Sequence, residues 1–187
     1  MNSRARILAA VLLAAASSAL GEVAVVNRAI SEKEVLAAQQ AWGRGLVEIG
    51  EAFAQGGHAA AVARAEALID SAYAYQLGAV LFKPTLTRAP HTFRTTREGA
   101  LSYFIGGNPA FPEDTGFALL GWTHVEVENA AIYIDGDTAT TMGKVRLTDR
   151  QGKITTVDKT WQFIKDEQGH LRIVVHHSSL EYDGPKN

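Results

Sequence analysis

The chain has 187 residues, 47% of them hydrophobic and 20% charged, with 17 glycines, five prolines and no cysteine. That composition belongs to a globular protein and excludes collagen, a coiled-coil rod and wholesale disorder. A formal charge of −2 supplies no basic field to hold a nucleic acid by counterion release. Lack of cysteine removes disulfides, thiolate nucleophiles and every cysteine-ligated zinc or iron–sulfur centre.

Residues 1–21 begin with Arg4 and Arg6, continue through the apolar run Ile7 to Ala16, and end in small residues through Ser17, Ser18, Ala19 and Gly21. This is the three-part pattern of a cleaved secretory signal, with the cut after Ala19 or after Gly21. The apolar stretch is shorter than the ~20 residues a membrane span requires. Removal of residues 1–21 takes away two arginines and no acid, leaving 16 basic and 20 acidic residues and a charge of −4. The expected product is a periplasmic or secreted protein, free of the membrane, formed of one domain over residues 22–187.

Ser31-Glu32-Lys33-Glu34 predicts a helix start with a capping box. Val35, Leu36, Trp42, Leu46, Ile49 and Phe53 recur at helical steps up to a break at Gln55-Gly56-Gly57. A second helix is expected from Ala59 to Gln76, with Val62, Leu68, Ile69 and Tyr73 on its apolar side and Gly78 as its cap. Short extended pieces follow at Val80-Leu81-Phe82 and Thr92-Phe93-Arg94-Thr95, then a short helix from Glu98 to Ile105. Beyond Phe117 four long strands are predicted, near 121–134, 138–148, 153–165 and 170–180. Asp135-Gly136, Gln151-Gly152 and Gln168-Gly169 mark the hairpins between them. Helices followed by an antiparallel meander make an α+β fold, in which the curled sheet wraps the N-terminal helices as a cone-shaped barrel with an internal pocket.

The last strand reads Leu171-Arg172-Ile173-Val174-Val175-His176-His177-Ser178-Ser179. Strand alternation puts His176 with Ser178 on one face and His177 with Ser179 on the other, so the adjacent histidines cannot grip one metal together. His58, His91, His124 and His170 fall on a helix start, a loop, a strand and a turn, without the spacing of a three-ligand metal motif. Gly106-Gly107-Asn108 lacks the surroundings of a phosphate-binding loop. Glu126 and Glu128 alternate with Val125 and Val127, as on a solvated sheet face.

Four segments in order, Tyr75 to Thr85, Ala100 to Gly107, Asp158-Lys159-Thr160-Trp161 and His176-His177-Ser178-Ser179, resemble the motif blocks of the iota-class carbonic anhydrases. The resemblance spans about residues 35 to 182. It implies a cone-shaped α+β barrel related to the association domain of the calmodulin-dependent protein kinase, a homodimer or larger homo-oligomer, and interconversion of carbon dioxide and bicarbonate. It implies a metal-free site for some members and zinc or manganese for others. Carried over by motif, the catalytic residues are Thr85, Tyr103, His176 and Ser178, with His176 expected to accept the proton of the attacking water in a concerted step and the hydroxyls to stabilise bicarbonate, and with no cofactor-binding residue and no metal ligand. Leu171, Ile173 and Val175 make the face of His177 and Ser179 the more apolar one, so that pair is the alternative. Two other readings fit the same cone: a non-catalytic module that binds a small ligand or oligomerises, and an isomerase or cyclase whose wider cavity Phe82, Phe117 and Trp122 would line.

Overall fold

Ser31 caps the first helix as its spacing demands: its hydroxyl accepts from the Glu34 amide, and the Glu34 carboxylate accepts from the Ser31 amide at 2.8 Å. The computed structural model describes residue 25 and residues 27–184; the expected leader, residues 1–21, lies outside them. The helix, α1 (Glu32–Ala72), runs in two limbs that meet at Gly57, whose φ of 71° is outside the helical region. The buried stripe of the first limb is Val35, Gln39, Trp42, Leu46 and Ile49, while Leu36 and Phe53 are exposed. Gln39 fills a step that an apolar count passes over, and its amide is satisfied by Asn129 at 2.9 Å and Thr141 at 3.1 Å. The second limb buries Ala61, Ala65, Leu68 and Ile69 and stops at Ala72, four residues before the expected end at Gln76. Tyr73 turns extended and bridges Ile173 of the last strand, and the Ala74 amide donates to the Ile173 carbonyl.

The remaining elements are β1 (Leu81–Lys83), α2 (Arg97–Ile105), a 3-10 turn (Phe117–Leu120), β2 (Trp122–Asp135), β3 (Thr138–Asp149), β4 (Ile154–Lys165) and β5 (Leu171–Ser179). They form one sheet in the order β1-β5-β4-β3-β2. The four long strands are the predicted antiparallel meander, and β1 adds itself in parallel to β5. The barrel is therefore open, with β1 and β2 as edges. The segment Thr92–Thr95 is irregular rather than a strand; its single ladder-like bond runs from the Arg94 amide to the Phe82 carbonyl, and the buried Arg94 guanidinium pairs with Asp114 at 2.6 Å. No helix among the described residues is long and apolar enough to cross a membrane.

Two irregularities shape the sheet. Between β2 and β3 the register shifts at Asn129/Ala131, and there Gly143 lies so close to β2 that an added Cβ would stand 2.1 Å from the Glu128 carbonyl oxygen. Between β4 and β5 it shifts at Gln162/Phe163, where Phe163 faces Ile173 and Gln162 faces Val175, leaving Val174 unpaired. A bulge of this kind bends the strand and changes which residues share a face. Gly143→Ala is expected to destabilise the protein by about 1–3 kcal/mol or more, because backbone rather than a movable side chain occupies the space. Urea unfolding measures this, and an unchanged midpoint would count against the close approach of the two strands.

Candidate active site

The bulge at Val174 decides which histidine faces inward. Unbroken alternation would place Ile173 with His177; one extra residue places it with His176, and both Ile173 and His176 are buried while His177 is exposed. Ser178 follows His176 to the inside and Ser179 lies on the outer face. Of the three apolar residues counted toward the opposite face, Ile173 therefore belongs to the same interior as His176, while Val175 lies on the outer face with His177 and Ser179.

Three further elements converge on this strand. Parallel pairing sets Phe82 beside His176, their rings stacked with centroids 4.5 Å apart. Pro84 and Thr85 follow β1 directly, and the Thr85 hydroxyl lies 2.6 Å from that of Ser178. Lys83 holds the same turn down by donating to the Ser178 carbonyl at 2.9 Å. Helix α2, capped by Thr96 and ended by Gly106, contributes Tyr103, whose ring stacks on Phe117 and meets Phe82 edge-on. Its hydroxyl accepts from the Leu86 amide at 3.4 Å. Burial pushes the Tyr103 phenol up in pKa, so it stays a proton-bearing donor.

Thr85, Tyr103, His176 and Ser178 thus line one cavity, closed by Trp42, Phe82, Phe104 and Phe117. Its open space is about 10 Å³ for the centre of a water-sized sphere, the room that one water needs. Trp122 does not line it; its indole donates to the Phe117 carbonyl behind the wall.

Lys159, Tyr73 and Trp42 complete the site, and the sequence reading did not assign them. Lys159 lies on β4 beside Ser178, fully buried, with Nζ 3.0 Å from His176 Nε2. The Trp42 and Trp161 rings lie 4.3 and 5.1 Å from Nζ, a cation–π arrangement. On the other side of the imidazole, the Tyr73 hydroxyl is 2.8 Å from Nδ1 and accepts from the Trp42 indole at 2.9 Å. Lysines are rarely buried without a partner, and the only hint in the sequence was that Asp158-Lys159-Thr160-Trp161 stands in one of the motif blocks.

These contacts leave two arrangements of the ring hydrogen. An ammonium can only donate, so a charged Lys159 makes Nε2 an acceptor and puts the hydrogen on Nδ1. A hydroxyl donated from Tyr73 to Nδ1 puts it on Nε2 instead, and the amine receiving it must be neutral. Burial lowers both bases: Lys159 to about 7, and His176 well below the usual imidazole range with the nearby Lys159 charge adding to the effect.

The other histidines stand apart. His58 contacts the Ile105 carbonyl, His91 packs on Phe111, His124 is exposed on β2 and His170 lies near Asp166. Among the described residues no three of His, Cys, Asp and Glu could hold one metal ion. Glu126 and Glu128 are exposed and pair with Arg146.

Residues 33–180 match the family model described as metal-independent carbonic anhydrase. The chain belongs to that family. It is 64% identical over 159 residues, 85% of this chain and 78% of the relative, to a protein of Nostoc sp. strain PCC 7120 named metal-independent carbonic anhydrase. Among solved structures it resembles a cyanobacterial iota-carbonic anhydrase crystallised with bicarbonate, at 62% identity and a TM-score of 0.85, covering 87% of this chain and 99% of that one. A protein of Xanthomonas campestris assigned as a calcium/calmodulin-dependent protein kinase II association domain aligns at 21% identity and a TM-score of 0.50, over 86% of this chain and 95% of that one. That likeness shows the fold alone.

A buried amine ties the stability of this carbonic anhydrase family member to pH. The unfolded chain protonates Lys159 near 10.5 and the folded chain only near 7, so between these values the unfolded state binds more protons and stability rises with pH. Lys83, lowered by burial, adds in the same direction, and His176 does so below about 6.5. The urea midpoint is expected to climb from pH 7 to 9, with a smaller slope in Lys159→Met; equal slopes in the two proteins would contradict a buried neutral amine.

Proposed function

We propose that this chain catalyses the reversible hydration of carbon dioxide to bicarbonate without a metal cofactor, in the cavity of Thr85, Tyr103, His176 and Ser178. The observation that carries the reading is a small aromatic-walled pocket lined by three hydroxyls and two nitrogen bases, His176 and Lys159, with no carboxylate in its wall. Membership of a family described as metal-independent carbonic anhydrase supports it.

The chemistry has to avoid free hydroxide. Moving a proton fully from water, at about 15.7, to an unperturbed imidazole near 6.5 spans about nine pKa units, or roughly 12 kcal/mol. That alone would hold turnover near 10⁴ per second, about the limit before any C–O bond forms. Burial lowers His176 further and makes the stepwise route worse. In a concerted route, the nitrogen base takes the proton while water oxygen attacks carbon, so that negative charge appears directly on substrate oxygens.

The hydroxyls then act where that charge develops. One of Thr85 and Ser178 donates to the other, so the pair offers the cavity one hydrogen and free lone pairs. It can hold the attacking water and afterwards donate to bicarbonate. Tyr103, kept protonated by burial, supplies the second donor.

Export and self-association complete the proposal: loss of residues 1–21 would deliver a periplasmic or secreted homodimer or larger homo-oligomer. Exposed Met142 and Tyr133 on the outer face of the sheet support a second copy there. Sedimentation of the mature chain is expected to give at least twice the monomer mass and Met142→Lys to lower it; a wild-type monomer at tens of micromolar would remove self-association from the proposal.

For activity, Ser178→Ala and Tyr103→Phe are each expected to lower carbon dioxide hydration about 10²–10³-fold, the scale of one removed oxyanion donor, with the fold retained by circular dichroism. Exhaustive chelation leaves the wild-type rate unchanged. Stopped-flow hydration equal to the buffer blank, with and without added zinc, would overturn the assignment and favour the non-catalytic binding module.

A further inference from the structure

The imidazole of His176 has no nitrogen to spare for a substrate. Nδ1 is engaged by Tyr73 at 2.8 Å and Nε2 by Lys159 at 3.0 Å. The ring cannot swing to free either one, because Phe82 stacks on its face and Trp42, Tyr73 and Trp161 surround it with centroids 5.4–5.9 Å away. Lys159 is different. Its amine uses one of its positions on Nε2, lines the cavity beside Ser178, and among the described residues takes part in no ion pair. The other titratable groups that face it are His176 on β5 and Tyr103 on α2, with Tyr73 behind His176; no carboxylate lines the cavity.

We propose that Lys159 is a further catalytic residue, its neutral amine being the base that takes the proton of the attacking water while His176 holds that amine in place. The proposal rests on the carbon dioxide hydration assigned above and refines which nitrogen acts. With the ring hydrogen on Nδ1, the amine donates one N–H to Nε2 and turns its lone pair into the cavity. Water oxygen forms the new bond to carbon and one carbon–oxygen π pair moves onto its oxygen. The water O–H bond breaks, its electron pair stays on oxygen, and the proton bonds to Nζ. A neutral amine, water and carbon dioxide become an ammonium beside bicarbonate. Nε2 already accepts one N–H of that ammonium, so the imidazole need not change its tautomer. The Trp42 and Trp161 rings favour the charged form as it appears. Dehydration runs the same steps backwards, and after hydration the ammonium returns its proton to solvent as bicarbonate leaves. A base poised near neutral pH suits both directions.

Two substitutions and one direct titration test this. Lys159→Met removes the amine, and Lys159→Arg keeps charge and donors but cannot accept a proton. Each is expected to lower kcat for hydration about 10²–10⁴-fold, the contribution of a positioned base, while bicarbonate still raises the melting temperature of Lys159→Arg. In wild type, the Lys159 side-chain NMR signal should titrate near pH 7, in step with hydration activity that rises as the amine loses its proton. An Lys159→Arg enzyme within about threefold of wild type would show that charge rather than proton uptake matters, and an amine still protonated at pH 9 would overturn the proposal even if neither variant folds. Wild type no faster than buffer removes the hydration reading itself; a fast wild type with a fast Lys159→Met removes only the role of Lys159.

Discussion

A lysine amine and an imidazole touch in an aromatic interior with no carboxylate to balance them, and the rest of the site is arranged around that constraint. An ammonium taken out of water without a counter-ion costs several kcal/mol, so the group surrenders its proton near neutral pH instead of near 10.5. The imidazole beside it is pressed the same way. The Trp42 indole, the Tyr73 hydroxyl, both ring nitrogens and Nζ satisfy one another inside the wall in one continuous chain of contacts at 2.8–3.0 Å, while the buried Trp161 indole nitrogen beside them has no hydrogen-bond partner. Breaking that chain at Tyr73 would strand a buried indole donor and a ring nitrogen together, each worth about 1–3 kcal/mol.

Holding the chain requires segments far apart in sequence. Trp42 comes from the first limb of α1 and Tyr73 from the residue that ends the second. The break at Gly57 turns the second limb back, and the Tyr73–Ile173 bridge with the Ala74–Ile173 bond ties its end to β5. Lys159 arrives on the neighbouring β4, in register with Ser178. The parallel edge strand β1 then brings Phe82 against the imidazole and delivers Thr85 to Ser178. An open sheet suffices because the pocket is walled by rings from α1, β1, α2 and the 3-10 turn rather than by a sixth strand.

Much of the architecture was legible. The capping box at Ser31, the Gly56-Gly57 break and the three hairpin signals placed α1 and β2–β5 within a residue or two at most ends, because turn chemistry is local. The helix end at Ala72 and the irregular Thr92–Thr95 segment were not, since both are settled by tertiary bonds to Ile173 and Phe82. The inward face of β5 was readable only as a choice between two pairs, and the apolar count pointed the wrong way, because a bulge at Val174 is invisible to strict alternation. Thr85, Tyr103, His176 and Ser178 could be named together only through resemblance to the family blocks, although they do share one cavity. Tyr73 hid on an apolar helix stripe, and Lys159 hid because a lysine in a strand is ordinarily read as solvent-facing.

A bound zinc ion would make hydroxide available near neutral pH by charge alone; the proposed mechanism uses neutral groups and has to keep charge from appearing before the C–O bond does. Small volume serves that end. A water held between a neutral base and the Thr85–Ser178 pair would have few orientations to lose on the way to reaction. Low polarity strengthens whatever donors remain, so in the proposed mechanism Tyr103 and one hydroxyl of the pair would act on the developing anion with little competition from bulk water. The same low polarity lowers the base, and the two demands oppose each other: a drier pocket stabilises bicarbonate through its donors but weakens the nitrogen that must take the proton. An imidazole begins near 6.5 and is driven too low by such burial, whereas an amine begins near 10.5 and is brought to about 7. For a reaction that must run in both directions at neutral pH, the dry wall therefore suits a lysine better than the histidine that the sequence displays more openly.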